Sequence, residues 1–145
     1  MRVLILCTGN SARSQMAESI LRHLSKGAID VHSAGTVPQS EIHPMARAAV
    51  KQLFDIDMIG QHPKAVDGFL GRPFDYVVTV CDHAAETCPV FPGGVERIHW
   101  RYEDPASAIG TAAERQQAFN AVAQDLARRI RLWLALPAIR SHIQS

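Results

Sequence analysis

Val3-Leu4-Ile5-Leu6 runs directly into Cys7-Thr8-Gly9-Asn10-Ser11-Ala12-Arg13-Ser14, and the reading of this junction decides the fold. The apolar run reads as a first strand, Arg2–Leu6. Met16, Ile20, Leu21 and Leu24 then recur at helical spacing, which predicts a helix from Ser14 to about Ser25. A cysteine, five small or turn-prone residues and an arginine thus lie between a strand and a helix. In that setting the backbone N–H groups of Thr8, Gly9, Asn10, Ser11 and Ala12 can point inward at a tetrahedral anion. Arg13 adds a planar fork of donors matched to phosphate-like oxygens. The same partial positive charges favour the thiolate of Cys7, the reactive form of cysteine. Ser14 can hydrogen-bond that sulfur or cap the first helical turn, and Asn10 suits a left-handed position. A lone cysteine at a strand end can also be just a small buried hydrophobe. The strand, loop and helix together favour an oxyanion-binding loop built around a nucleophile.

The rest of the chain repeats the alternation. Ile29–Ala34 reads as a second strand, His43-Pro44 opens a helix through Leu53, and Val66–Leu70 suits one short helix in an otherwise irregular stretch. Phe74–Val80 is a continuous apolar strand of the kind buried on both faces, and Val95–Trp100 is a fourth. Thr111-x-x-Glu114 is a capping box that starts a long helix to about Leu136, with Phe119, Val122, Leu126, Ile130 and Trp133 on its apolar stripe. This order predicts an α/β fold in three layers, a four-stranded parallel sheet flanked by helices. Residues 1–145 are expected to form a single domain.

Bulk properties exclude several classes. The chain has 145 residues, 20% of them charged, and a net charge of +1, which argues against a nucleic-acid or membrane-surface protein. The sequence shows no apolar run of about 18 residues and no signal-peptide pattern, so a cytoplasmic location is expected. Three cysteines are too few for a disulfide scaffold and read better as redox or catalytic groups. The seven histidines show no ligand spacing and read as surface or satisfied core residues.

Parallel strands place Cys7 and Cys81, each at the end of a strand, on the same edge of the sheet, where open α/β sheets bind ligands. Cys81 and Cys88 bracket Asp82–Thr87, a segment of helical composition. Seven helical residues rise about 10.5 Å, whereas a disulfide wants its Cα atoms about 5.5–6 Å apart. The pair could bond only if that segment unwound. Either these are two small buried residues, or the three thiols form a relay in which each disulfide is attacked by the next thiolate. A zinc site using Cys81, Cys88 and His83 or His99 is a weaker competitor, because Cys-x6-Cys lacks the usual spacing. Glu103-Asp104-Pro105 leaves the fourth strand on the same edge. Asp104 is the preferred general acid for a departing oxygen, with Glu103 as the fallback, although Asp-Pro is also a common turn initiator.

VLILCTGNSARSQMAE at 3–18 closely resembles the opening of the low-molecular-weight tyrosine phosphatase superfamily, and more narrowly that of its thioredoxin-coupled arsenate reductases. The resemblance extends through HSAG at 32–35, the His43-Pro44 helix start, VVTVCDHAAETCP at 77–89 and EDPA at 103–106. Phosphatases of this family typically follow Asp-Pro with a tyrosine, where this chain has Ala106, and they do not need the Cys81/Cys88 pair. The resemblance therefore implies an arsenate reductase with a low-molecular-weight phosphatase-like fold, acting in arsenic detoxification. A phosphomonoesterase using Cys7, Arg13 and Asp104 is the runner-up, and a non-catalytic oxyanion binder is a third class.

What the resemblance implies for mechanism is specific. Cys7 attacks arsenate held by Arg13 and the loop amides while Asp104 protonates the departing oxygen. Cys81 then attacks the Cys7 sulfur and releases arsenite, and Cys88 attacks Cys81. Thioredoxin, or a glutaredoxin, reduces the final Cys81–Cys88 disulfide, with no bound cofactor or metal. Phosphate is expected as a weak analogue of arsenate, and the chain as a monomer. Some members carry a cysteine where Ala12 precedes the loop arginine. Some bind potassium through an Asn, a Glu, a Ser and an Asp; Asn10, Glu18 and Ser33 match, while Lys64 falls where the last carboxylate would be. The expectation is that the Lys64 ammonium replaces the potassium ion.

Overall fold

The structure, a computed structural model, describes residues 1–82, 90–93 and 95–143. The chain runs β1 (Arg2–Cys7), α1 (Arg13–Leu24), β2 (Asp30–Gly35), α2 (Pro44–Phe54), a 3-10 turn at Val66–Phe69, β3 (Tyr76–Thr79), β4 (Glu96–His99), a second 3-10 turn at Pro105–Ser107, α3 (Ala112–Leu134) and α4 (Pro137–Ile143). The four strands form one sheet in the order β2-β1-β3-β4, and every pairing is parallel. The α/β reading with a four-stranded parallel sheet stands.

Alternation along β1 divides the interior in two. Val3, Ile5 and Cys7 face the main core, where Met16, Ala17 and Ile20 of α1, Ala46, Ala49 and Val50 of α2, and Phe119, Leu126 and Ile130 of α3 are buried. Leu4 and Leu6 face a smaller cluster closed by Phe69, Phe74 and Phe91. Each aliphatic side chain so buried contributes about 1.5–3 kcal/mol. That apolar drive seats α1 on the sheet and fixes the direction of the loop between β1 and α1.

Element ends shift by a residue in several places, β4 among them at Glu96–His99, and two differences have a structural cause. β3 is shorter than Phe74–Val80: Phe74 turns into the smaller core, and Asp75 instead bonds Arg2 through both its backbone N–H and its carboxylate. α3 ends at Leu134, close to the expected Leu136, and Pro137, which cannot continue it, opens α4, a helix the sequence reading missed. A proline at a helix start loses no intrahelical bond, so one residue serves both roles. The capping box forms as predicted, with Thr111 accepting from the Glu114 N–H at 3.1 Å and Glu114 from the Thr111 N–H at 3.2 Å. The expected helical turn at Asp82–Thr87 falls, beyond Asp82, outside the described residues.

In this strand order the chain leaves β1 toward β2 on one side and β3 lies on the other. The carboxyl ends of β1 and β3 therefore flank a topological switch point, the usual ligand crevice of open α/β sheets. The chain leaves β1 at Thr8, β3 at Val80 and β4 at Trp100 on this same edge.

Candidate active site

The loop after β1 is shaped by what its carbonyls bond. Thr8, Gly9 and Ser11 present their oxygens to the N–H groups of Val37, Gln39 and His43, each at 2.9 Å, and Ala12 accepts from Met16 at 2.8 Å. The Asn10 carbonyl accepts from Gln15 Nε2 at 3.2 Å. Five successive carbonyls are thus committed to the outside of the loop, which leaves its N–H side to the cavity within. Asn10 makes the reversal with φ of 48°, a left-handed conformation that asparagine tolerates.

Cys7, 2% exposed, lies at the floor of that cavity. Its sulfur is 2.8 Å from Ser14 Oγ and accepts the Asn10 N–H at 3.2 Å. Two hydrogen-bonding groups therefore converge on the atom that would carry the thiolate charge. The cavity, about 400 Å³, is lined by all residues from Cys7 to Arg13 and closed at the mouth by Val37, Gln39, His43, Asp104 and Ala106.

Arg13 is buried, and its Nη1 donates to the Tyr102 carbonyl at 3.1 Å. That bond aims the guanidinium from the segment that follows β4. Asp104 divides its carboxylate: Oδ1 accepts the Ala106 N–H at 3.0 Å, and Oδ2 stands 4.0 Å from Arg13 Nη2. The geometry separates the two acid candidates. Asp104 lines the cavity with Cys7, whereas Glu103 lines only a neighbouring groove with Asp82 and Pro105.

Cys81 is fully buried just past β3. The ladder pairs Leu6 with Thr79 and continues with the Val80 N–H on the Leu6 carbonyl at 2.9 Å, so Cys81 comes one residue after the position opposite Cys7. Asp82, next along the chain, is 5% exposed and accepts from Arg101 Nε at 2.9 Å. This ion pair ties the end of β3 to the segment carrying Tyr102 and Asp104. Cys88 and His83 lie outside the described residues. His99, the other nitrogen of the zinc alternative, pairs with Thr79 Oγ1 at 2.6 Å. Among the described residues no group of three or more His, Cys, Asp or Glu could hold a metal ion.

Behind the loop a polar layer holds Asn10. Its Nδ2 donates to Ser14 Oγ at 2.7 Å and to Ser33 Oγ at 3.0 Å, and Ser33 donates to Glu18 Oε1 at 2.8 Å. Its Oδ1 accepts from Gln15 Nε2 and from the Lys64 N–H, both at 2.9 Å. Lys64 Nζ is 3.9 Å from Glu18 Oε1 and donates to the His62 carbonyl at 2.9 Å. Burial pushes the Lys64 ammonium below its ordinary pKa; Glu18 opposes this and Arg22 adds to it.

Residues 2–143 match the low molecular weight phosphotyrosine protein phosphatase family. An arsenate reductase of Halalkalibacterium halodurans is 40% identical over 129 residues, spanning 89% of this chain and 91% of the relative.

The chain belongs to the low molecular weight phosphotyrosine protein phosphatase family, in its arsenate reductase branch.

An arsenate reductase of Bacillus subtilis is 37% identical, again over 89% of this chain and 91% of the relative. Among solved structures, an arsenate reductase in an oxidized state superposes with a TM-score of 0.75 at 28% identity, over 92% of this chain and 96% of that one. A thioredoxin-dependent arsenate reductase of Corynebacterium glutamicum gives 0.61 at 27%, over 91% of this chain and 62% of the other. A low molecular weight protein tyrosine phosphatase of T. tengcongensis, at 0.75 and 21%, shares the fold.

Three parts of the site escaped the sequence reading. Gly35 ends β2 against the loop, where a Cβ would meet the Thr8 carbonyl oxygen at 2.4 Å and the Asn10 nitrogen at 3.0 Å. The HSAG stretch was visible, but not what its glycine touches. Gln15, fully buried, braces Asn10 from the first turn of α1. His43 lines the cavity rather than lying on the surface or in the core. Its only sequence signal was the His-Pro helix start.

Proposed function

We propose that this protein reduces arsenate to arsenite at Cys7 and passes the resulting oxidation through Cys81 and Cys88 to a disulfide that thioredoxin reduces. The single observation that carries the reading is that Cys7 lines one cavity together with the whole Thr8–Arg13 loop and Asp104. Cys81 at the neighbouring strand end supports the relay. The names of the arsenate reductase relatives support the substrate.

The chemistry follows from the residues. The loop N–H groups and Arg13 bind three oxygens of arsenate and neutralise charge as the sulfur approaches. The Cys7 thiolate displaces one oxygen from As(V), and Asp104, protonated for this step, gives its proton to the oxygen that leaves as water. The Cys81 thiolate then attacks the Cys7 sulfur. The electron pair of the S–As bond passes to arsenic, which departs as As(III) in arsenite, and a Cys7–Cys81 disulfide forms. Strands about 4.8 Å apart with a rise of about 3.3 Å per residue give a one-residue diagonal of about 6 Å, within disulfide range. Cys88 attacks Cys81, frees the Cys7 thiolate and leaves the Cys81–Cys88 disulfide. A dithiol reductant reduces it, and the thioredoxin-dependent structural relative makes thioredoxin the first choice over a glutaredoxin. The reading takes the chain as a monomer acting in the cytoplasm; separately, no helix among the described residues is long and apolar enough to cross a membrane.

The test is arsenate-dependent NADPH oxidation with thioredoxin and thioredoxin reductase, on wild type and on Cys7→Ser, Cys81→Ser and Cys88→Ser. Cys7→Ser should form no arsenite, and Cys88→Ser should complete one round and stop. A thioredoxin-independent phosphatase rate undiminished in Cys81→Ser and Cys88→Ser, without arsenite formation by wild type, would replace this reading with a phosphomonoesterase.

A further inference from the structure

His43 lines the cavity above Cys7, and the chemistry just derived gives it no task. Its surroundings fix both its place and its protonation. The main-chain N–H is bonded to the Ser11 carbonyl at 2.9 Å, which ties the residue to the oxyanion loop itself. The ring lies against Phe119 of α3, with centroids 4.5 Å apart and planes inclined by 34°. Nδ1 accepts the Met45 N–H at 3.0 Å, the side-chain cap of α2. A ring nitrogen that accepts a hydrogen bond carries no proton, so the neutral ring holds its proton on Nε2.

Among the described residues none accepts from that Nε2–H. The residue that carries this donor, locked by a cap on one side and a ring stack on the other, lines the cavity over the Cys7–Arg13 loop. The charged groups facing His43 from the neighbouring elements are Arg115 on α3, Asp104 after β4 and Glu41 ahead of α2. Burial and Arg115 favour the neutral ring over the opposition of Asp104 and Glu41. Because the ring is already fixed, little side-chain freedom is lost when it donates.

We infer that His43 is a further substrate-binding residue, whose Nε2–H donates to an outer oxygen of the tetrahedral oxyanion seated on the Cys7–Arg13 loop. The inference rests on reading the cavity as an oxyanion site, but not on the redox steps that follow binding. The loop amides and Arg13 hold the oxygens nearest the sulfur; His43 engages one they leave toward the mouth.

The test uses His43→Asn. Asparagine is a strong N-cap and its Oδ1 can take the Met45 N–H, so α2 keeps its cap. Its amide nitrogen lies one bond closer to Cβ than Nε2 does and stops short of the ligand. Binding of inorganic phosphate is measured by calorimetry at neutral pH, beside steady-state arsenate reduction. Loss of one hydrogen bond to a charged ligand should weaken phosphate binding and raise the arsenate KM by about tenfold each, with kcat changed less than about twofold. Should the asparagine variant not fold, His43→Ser, which also caps, is read the same way. Phosphate affinity and KM within about twofold of wild type overturn the inference. So does a fall in kcat without loss of phosphate affinity, or an absence of phosphate binding by wild type. Weaker phosphate binding in the variant of a wild type that reduces no arsenate upholds His43 and overturns the reductase reading.

Discussion

The Cys7 sulfur and the Ser14 hydroxyl oxygen are 2.8 Å apart across the oxyanion loop. Asn10 Nδ2 donates to the same hydroxyl at 2.7 Å, so the Ser14 hydrogen is directed to the sulfur rather than away from it. Hydrogen bonds to charged groups are worth about 1.5–3 kcal/mol. Ser14→Ala should therefore lower kcat/KM for arsenate by about tenfold to a hundredfold, and slow alkylation of Cys7 by iodoacetamide at neutral pH. An unchanged alkylation rate would show that the hydroxyl does not stabilise the thiolate.

Asp104 fixes Oδ1 on the Ala106 N–H and leaves Oδ2 on the Arg13 side. Asp104→Asn keeps an oxygen for the Ala106 bond but cannot supply a proton. The variant should lose about a hundredfold or more in kcat, the scale of general acid catalysis. Phosphate should bind as tightly as to wild type or tighter, because a negative charge has left the cavity mouth. A kcat within a few-fold of wild type would move the acid role away from Asp104.

Gly35 and Thr8 approach so closely that a methyl group at Gly35 would meet the Thr8 oxygen at 2.4 Å. The two nearest neighbours it would strike are backbone atoms of the loop and the third is the Asn10 Cβ, none of which can swing aside as the far end of a flexible side chain would. Gly35→Ala should cost about 1–3 kcal/mol, the range of overpacking in a filled interior, and should weaken phosphate binding as the loop is displaced. Urea unfolding and calorimetry check the two effects separately. Wild-type stability with wild-type affinity would mean that the loop yields freely.

A sequence carries local geometry but leaves most tertiary partners unstated. Cys7, Arg13 and the loop were legible because strand, loop and helix adjoin along the chain, so their geometry is local. The common edge shared by Cys7 and Cys81 was legible because parallel strands fix polarity without any distance being known. Asp104 and Glu103 are adjacent carboxylates that sequence alone does not tell apart; only the cavity, which Asp104 lines beside Cys7, distinguishes them. Gly35, Gln15 and His43 were hidden for the opposite reason. Each acts through partners on another element, and nothing in periodicity says which side chain faces the loop. The length of β3 was misjudged because a continuous apolar run does not tell a strand residue from Phe74, which fills the second core.

His43 also links pH to stability. Burial, aided by Arg115, holds its pKa below the ordinary value of 6.5, against the pull of Asp104 and Glu41. The folded state thus prefers the neutral ring, and only that form can accept the Met45 N–H. The contribution is fully present above about pH 6.5 and is lost as pH falls from there through the lower folded-state pKa. His43→Ala should therefore cost about 1 kcal/mol near neutral pH, the usual worth of a side-chain cap, with the difference shrinking on acidification. Chemical denaturation of both proteins across this range measures it. A gap that widens as pH falls would reverse the sign argued here.

Lys64 and Glu18 bear on the salt dependence of the enzyme. The ammonium lies 3.9 Å from Glu18 Oε1, and that oxygen also accepts from Ser33, which in turn receives Asn10 Nδ2. A covalently attached cation thus borders the chain of bonds that holds the left-handed Asn10, the position where the family resemblance implies a potassium ion. If Lys64 takes over that charge, arsenate reduction should run at equal rates in potassium and in sodium. Lys64→Asp removes the ammonium and restores a carboxylate facing Glu18. It should lose activity in sodium and regain much of it in potassium, since a cation is then needed to keep two acids together behind the loop. Kinetics of both proteins in the two salts at matched ionic strength decide the matter. A strong potassium requirement in wild type would show that the lysine does not replace the ion.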